Sequence, residues 1–140
     1  MSTPFQVAID CADPHRLADF WAAALGYEIE HNDEQIRSII EAGYAGEADV
    51  MERDGHLVWR TAVAANDPGG TLPRLLFQQV PEEKTVKNRV HLDLRVGDDR
   101  RQAEVERLVG LGASRLWDGR QGPQTWVTMA DPEGNEFCVS

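Results

Sequence analysis

The stretch Val90–Asp98, with the sequence VHLDLRVGD, repeats the pattern of Phe5–Asp13, with the sequence FQVAIDCAD, 85 residues earlier in the chain. Each copy alternates in the manner of a half-buried strand and ends at an aspartate. Each is followed by a helical pattern that stops at a leucine and a glycine, at Leu25-Gly26 in the first copy and at Leu111-Gly112 in the second. An internal repeat of this kind indicates two related modules and constrains the architecture before any single residue is interpreted.

Size and charge limit the kinds of partner that this chain can have. It contains 140 residues, which suffices for one compact domain with an ordinary core, and its formal net charge is −10. An acidic protein is repelled by nucleic-acid backbones and anionic membranes, so we expect neither as a partner. No apolar run is long enough to span a bilayer, and we expect no leader sequence. Cys11 and Cys138 are best interpreted as reduced thiols. We therefore expect a cytosolic protein that takes a small-molecule ligand.

Local signals predict the elements of the first module. Asp13 is a helix N-cap followed by Pro14, and Gly26 ends the helix. A second helix over 33–42 is predicted from Asn32 and Gln35, which resemble a capping box. The predicted strands are 5–10, 57–64 and 75–80.

The second module has the same order of elements. In its helix Val105, Leu108, Val109 and Leu111 are expected to form the buried face. The predicted strands are 89–96, 114–117, 125–130 and 136–139. The fold class is thus α+β, with a single domain over 1–140 made of two βαβββ modules, 4–82 and 88–140.

These patterns resemble the glyoxalase/bleomycin-resistance/extradiol-dioxygenase superfamily, the vicinal oxygen chelate fold, and within it the glyoxalase-like branch. The resemblance covers nearly the whole chain and is weakest over 31–55. The matching segments are Asp10–Pro14, Phe20-Trp21, Leu25–Tyr27, Val90–Leu94 and Trp126–Cys138, the last of which contains Asp131-Pro132-Glu133-Gly134-Asn135. The resemblance implies an open, cupped half-barrel of mixed β-sheet with the helices outside.

The resemblance also implies a set of site residues. Metal-binding relatives take one ligand from the first and the last strand of each module. Carried over to this chain, the first-strand positions are Gln6 and His91, and the last-strand positions are Cys138 and, by matching Phe77-Gln78 with Phe137-Cys138, Gln78. Both carboxylates that relatives use are missing, and a hard divalent ion prefers anionic oxygen ligands. No tightly bound metal is therefore favoured; a divalent metal held by Gln6, Gln78, His91 and Cys138 is the alternative.

Strand alternation predicts which side chains line a cavity. Val90, Leu92, Leu94 and Val96 form one face, which we expect to pack under the helices. The other face carries Arg89, His91, Asp93 and Arg95, and its counterpart in the first module carries Gln6, Ala8 and Asp10. Asp10, Asp93 and Arg95 form either a structural ion-pair network or the wall of a ligand cavity.

Other chemistry-bearing residues leave alternatives open. Either Trp59 or Trp126 lines the cavity, or both belong to the core. Lys84, Lys87 and Arg89 are interpreted as a solvated linker in preference to an anion site. His15, His31 and His56 are interpreted as surface residues.

Two functions compete at this point. The favoured one is a pocket protein that binds or sequesters a metabolite or drug-like ligand. In the other, a metal-dependent lyase, isomerase or dioxygenase acts on a small oxygenated metabolite, with His91 as base and Gln6 beside it. Because an open sheet leaves edges exposed, a homodimer is also expected.

Overall fold

The computed structural model describes all 140 residues, which form two compact units, 1–81 and 82–140. The first unit contains the strands β1 (Val7–Cys11), β2 (Glu28–Ile29), β3 (Val50–Arg53), β4 (His56–Trp59), β5 (Ala62–Asn66) and β6 (Leu75–Gln79), the helices α1 (Pro14–Leu25) and α2 (Asp33–Glu41), and a short 3-10 turn (Glu47–Asp49). The second contains β7 (Asp93–Leu94), α3 (Asp98–Leu111), β8 (Ser114–Gln121), β9 (Gln124–Ala130) and β10 (Glu136–Val139). The predicted α+β class, with mixed sheets that do not close into a barrel, is confirmed. None of the helices is long and apolar enough to cross a membrane.

The main sheet of each unit has the same strand order. In the first unit the order is β1-β6-β5-β2, and in the second it is β7-β10-β9-β8. The first strand of each sheet runs parallel to the last strand in sequence, and the remaining pairs are antiparallel. The first unit differs by an insertion between β2 and β5, which contains α2 and the β3–β4 hairpin.

The first helix forms where its sequence signals predict. The Asp13 side chain accepts a hydrogen bond from Arg16 N, and Gly26 ends the helix in the left-handed conformation with φ of 72°. Such a cap contributes about 1 kcal/mol. The apolar face, with Leu17 and Trp21 almost fully buried, packs on β5 and β6.

A carboxylate turn fixes the entry to the last strand. Asp131 is buried, and its Oδ1 accepts hydrogen bonds from the backbone N–H groups of Glu133 and Asn135 at 2.9 and 3.0 Å. Three apolar core side chains of this unit, Met129, Phe137 and Val139, are at most 1% exposed. The turn therefore holds β9 and β10 in the register that positions Cys138.

The predicted strand 89–96 shortens to Asp93–Leu94. The Asn88 side chain takes the place of the missing ladder, because its Oδ1 accepts from Glu136 N at 2.7 Å and its Nδ2 donates to Val90 O and Glu136 O. Val90 is consequently 81% exposed, contrary to the expected burial, whereas Leu92, Leu94 and Val96 face inward.

Four smaller predictions are corrected. Asn32 makes no cap hydrogen bond and instead donates to Glu30. The predicted strand 57–64 divides into β4 and β5. In α3 only Val105 and Leu108 are buried, while Val109 and Leu111 are exposed. His15 is buried, not on the surface, and its Nε2 lies 2.7 Å from Trp59 O.

Candidate functional site

One row of side chains crosses all four strands of the second sheet. Cys138 on β10 lies opposite Asp93 on β7 and opposite Thr128 on β9, and Thr128 in turn lies opposite Trp117 on β8. The register is fixed beside the row by the hydrogen bond from Cys138 N to Leu92 O at 3.0 Å. Because residues that are directly opposite share a face, these four side chains lie on the same side of the sheet.

A second row lies one pleat further along. Ser140 N donates to Leu94 O and Val96 N donates to Ser140 O, which places Ser140 opposite Arg95. In the same row, towards the β8 edge of the sheet, Trp126 lies opposite Gly119. A Cβ added to Gly119 would lie 2.1 Å from Trp126 Cε2, so the indole packs directly on the β8 backbone. Only glycine leaves room for the indole there.

His91 and Asp93 form a hydrogen-bonded pair at the edge of this face. His91 Nδ1 lies 3.0 Å from Asp93 Oδ1, and both side chains are exposed, at 40% and 56%. Since an ionised carboxylate only accepts, Nδ1 carries the hydrogen, and the neutral ring then keeps Nε2 as an acceptor. The pair thus orients an imidazole that can act as a base.

The Cys138 thiol belongs to the same group. Burial is the largest effect and raises its pKa, Thr128 lowers it, Asp93 raises it further, and Lys87 lowers it slightly. Thr128 Oγ1 lies 3.6 Å from Sγ. The thiol is therefore protonated at neutral pH and is poorly suited to act as a nucleophile.

The side chains of both rows line an open cleft of about 950 Å³ that lies wholly within the second unit. This volume is at the upper end of those that small-molecule sites occupy. Among its lining residues are Lys87, His91, Asp93, Arg95, Asp98, Trp117, Thr125, Trp126, Thr128, Glu136, Cys138 and Ser140.

Glu136 holds the irregular segment before β7 against the cleft wall. Desolvation by burial raises the pKa of this carboxyl, but hydrogen bonds from Asn88 N and Lys84 outweigh it, so the pKa is lowered. Glu136 Oε2 lies 3.1 Å from Asn88 N and 3.2 Å from Lys84 Nζ. Its charge is consequently already balanced inside the protein.

The first unit contains the other predicted site residues. Gln6 is exposed and its Oε1 accepts a hydrogen bond from Arg74 Nη1 at 2.8 Å, while Asp10 and Gln78 are exposed on neighbouring strands. Trp59 lines a separate pocket of about 300 Å³ beneath α2 and the β3–β4 hairpin. The structure therefore brings His91, Asp93, Arg95, Cys138 and Trp126 together in one unit, and places Gln6, Asp10, Trp59 and Gln78 in the other.

Strand register revises one of these assignments. Asp93 corresponds to Ala8 through the 85-residue repeat, and Asp93 pairs with Cys138 as Ala8 pairs with Leu76. The counterpart of Cys138 in the first unit is therefore Leu76, whereas Gln78 lies opposite Asp10. Matching the sequence segments Phe77-Gln78 and Phe137-Cys138 shifts this position by one pleat.

These residues do not fit a hard divalent cation. Leu76 offers no ligand atom, the Gln6 oxygen lies beside the Arg74 guanidinium, and Cys138 offers a soft sulfur in place of a carboxylate oxygen. One ligand atom from each of His91, Asp93 and Cys138 lies within 4.8 Å of the others, so a softer ion such as zinc could be held there only if the thiol lost its proton. Asp93 is the one carboxylate of this group, and magnesium and manganese prefer oxygen ligands to sulfur.

Sequence reasoning did not single out Thr128 and Trp117 as a pair. Their juxtaposition depends on a register shift in β8 between Arg115 and Trp117, which local alternation does not show. The alternation of Trp126 and Thr128 indicates that both side chains lie on one face of β9. It does not indicate which residue of β8 lies beside Thr128.

Comparison with known proteins identifies the family. The sequence model of the glyoxalase-like domain matches residues 6–140, so the chain belongs to the glyoxalase-like domain family, as its motifs predict. No curated protein sequence matches the chain.

Three solved structures with this fold are remote from this chain in sequence. The fosfomycin resistance protein FosX from Mesorhizobium loti is 9% identical with a TM-score of 0.64, over 99% of this chain and 90% of that one. A mutant of FosX from Listeria monocytogenes, complexed with Mn(II) and 1S,2S-dihydroxypropylphosphonic acid, is 9% identical with a TM-score of 0.63, over 99% and 89%. A glyoxalase/bleomycin resistance protein/dioxygenase family enzyme from Burkholderia phytofirmans PsJN is 15% identical with a TM-score of 0.62, over 96% and 94%. Similarity at this level shows the fold alone.

Proposed function

We propose that this glyoxalase-like protein binds a metabolite or drug-like small molecule in the cleft of its second unit, without a tightly bound metal. The observation that carries the proposal is the cleft itself, of about 950 Å³ and lined by Trp117, Trp126 and the His91–Asp93 pair. A concave site with aromatic walls and a few polar groups is the usual form of a small-molecule site. The position of Trp126 in the cleft lining supports the ligand-contact role predicted for it.

His91 is the polar centre of the proposed site. Asp93 fixes the ring through Nδ1, so Nε2 is available to accept a hydrogen bond or a proton from a ligand. Gln6 remains a sequence-based prediction for a second polar contact, and Asp10 and Trp59 remain predictions in the same sense.

The competing function is that of a metal-dependent lyase, isomerase or dioxygenase. Two observations favour it, namely the His91, Asp93 and Cys138 group and the manganese complex of the FosX mutant from Listeria. The argument against it in this chain is the set of ligand atoms, because one carboxylate, one imidazole and one sulfur suit a hard divalent cation poorly. The family resemblance implies a carboxylate ligand at this position, which Cys138→Glu would supply.

Metal analysis separates the two functions. Purified protein should contain far less than one metal ion per chain by mass spectrometry, before and after incubation with Zn²⁺, Ni²⁺, Mn²⁺ or Fe²⁺ and desalting. Cys138→Glu should raise the affinity for Mn²⁺, because it adds an anionic oxygen. If the unaltered protein contains one metal ion per chain and His91→Ala loses it, the metal-dependent enzyme is favoured over the metal-free pocket protein.

We further propose that the protein is a homodimer. The edge strands β2 and β8 leave backbone groups without a strand partner, and β8 is exposed along most of its eight residues. Light scattering at micromolar concentration should give twice the chain mass of 15.6 kDa. A mass equal to one chain would contradict the dimer.

A further inference from the structure

We infer that the ligand of this cleft is a planar aromatic anion, received by Arg95 and Lys87 at its charged end and by the two indoles at its ring. This inference rests on the proposed function, because it specifies the ligand class of the same cleft. It follows from the charges that line the cleft, from the position of Arg95 on the sheet, and from the way the indoles are held.

The three side-chain carboxylates that line the cleft all have partners, and two of its cationic side chains have none. Asp93 pairs with His91, Asp98 with Arg101 at 2.8 Å, and Glu136 with Lys84 at 3.2 Å. Arg95 and Lys87 also line the cleft, yet neither makes a hydrogen bond or an ion pair within the protein. In a chain whose net charge is −10, the cleft thus has cationic groups available to a ligand.

Arg95 is placed to meet a ligand bound over the sheet. It lies opposite Ser140, and it extends the exposed edge row that contains His91 and Asp93. A guanidinium presents two parallel N–H donors that match the two oxygens of a carboxylate, and such charge-assisted contacts are stronger than neutral ones. Lys87 adds a second charge at the same cleft.

The indoles supply a surface for a flat ring. Trp117 is 49% exposed although it is a large aromatic side chain on a β-strand, and it lines the cleft. The Trp126 ring is fixed because it packs on Gly119, where no Cβ could be accommodated. Rigid aromatic walls stack on planar ligands at a small cost in conformational entropy.

The carboxylate of Asp93 does not favour a cationic ligand instead. One of its oxygens already accepts a hydrogen bond from the His91 ring N–H. A cation would have to compete with this donor, whereas an anion at Arg95 and Lys87 breaks no hydrogen bond or ion pair within the protein.

Three probes that share a naphthalene ring system and differ in charge test the inference. Naphthalene-2-carboxylate, naphthalene-2-carboxamide and 2-naphthylmethylamine are titrated into ¹⁵N-labelled protein, and binding is measured from the backbone and indole N–H signals of cleft residues. The carboxylate should bind about tenfold more tightly than the carboxamide, as one additional charge-assisted hydrogen-bonded contact would give. Arg95→Gln should reduce that preference strongly, because it should weaken binding of the carboxylate more than binding of the carboxamide. Arg100→Gln, which removes an exposed arginine of α3 outside the cleft lining, should retain it.

The outcomes distinguish this inference from the proposed function. If the carboxamide binds in the cleft as tightly as the carboxylate, or the amine binds more tightly, the cleft is a ligand site and the anion inference is wrong. The inference is also wrong if Arg95→Gln leaves the carboxylate preference intact. If none of the probes shifts the signals of cleft residues, the inference and the proposed function both fail.

Discussion

At the scale of single residues, the chemistry of this site depends on a proton that Cys138 keeps. Burial is the largest effect and favours the thiol, Thr128 opposes it, Asp93 favours it, and Lys87 opposes it weakly. A glutamate at this position would be ionised at neutral pH, and it would provide both a metal ligand and a base. The thiol provides neither, so His91 is the group in the cleft best placed to accept a proton.

Alkylation kinetics test the state of this thiol. Cys138 should react slowly with iodoacetamide at neutral pH, because only the thiolate reacts. Its rate should rise only at a pH above the one at which an ordinary cysteine ionises. Asp93→Asn should lower the pKa and increase the rate at pH 7.5 roughly several-fold. The rate is followed by mass spectrometry of the Cys138 peptide, which separates it from the buried Cys11.

Asp98→Asn is the matched control for this experiment. It also removes a carboxylate from the cleft lining, but Asp98 pairs with Arg101 and does not influence the thiol. It should leave the alkylation rate close to that of the unaltered protein. Rapid alkylation of Cys138 at neutral pH in the unaltered protein would show that the thiol is ionised. A metal ion held by His91, Asp93 and Cys138 would then be favoured.

At the scale of elements, one ion pair joins several parts of the first unit. Glu30, which follows β2, accepts hydrogen bonds from Arg74 at 2.9 Å and from Asn66 on β5 at 2.6 Å. The hydrogen bond from Arg74 is the largest cause that lowers the pKa of Glu30 to about 2, from 4.5. A carboxyl whose pKa is lower in the folded state stabilises the fold above its unfolded pKa.

The stabilisation by Glu30 should therefore disappear in acid. Glu30→Gln should lower the free energy of unfolding at pH 7 by about 1–2 kcal/mol, a value reduced for the partial exposure of the pair. The difference from the unaltered protein should shrink as the pH falls from about 4.5 towards about 2, because Glu30 then becomes protonated in the folded state as well. Urea unfolding at several pH values measures it, and Glu28→Gln on the exposed face of β2 should show no such trend.

Glycine substitutions test the packing of the cleft wall. Gly119→Ala should destabilise the protein by about 1–3 kcal/mol, since the new Cβ would overlap the Trp126 ring. Gly110→Ala in α3, where the added atom meets nothing within 4 Å, should instead stabilise it by about 0.5–1 kcal/mol. Urea unfolding of both variants gives the comparison. A neutral Gly119→Ala would mean that the indole is free to move.

The sequence predicts the elements of this fold better than it predicts their pairing. The capped helix α1, the strand β10 and the glyoxalase-like family follow from local signals and are confirmed. The length of β7 does not, because the Asn88 side chain replaces ladder hydrogen bonds in a way that alternation does not reveal. The position of Leu76 opposite Ala8 and the row from Asp93 to Trp117 also depend on register between distant strands.

At the scale of the whole molecule, the main sheets of the two units share the same strand order, but the two units contain different cavities. In the first unit α2 and the β3–β4 hairpin contribute Ile36, Leu57 and Trp59 to a small pocket that Leu76 also lines. Leu76 corresponds to Cys138, so the insertion covers the face that is open in the second unit. This gives the insertion a structural role and leaves the second unit with the larger cleft.

The central claim is that this cleft binds its ligand without a resident metal. The most direct measurement is the titration of naphthalene-2-carboxylate into chelator-treated protein, followed through the signals of His91, Trp117 and Trp126, with and without added Mn²⁺ or Zn²⁺. We predict the same affinity in all three conditions and no metal retained after desalting. Binding that is lost on chelation and restored by either ion would contradict the claim.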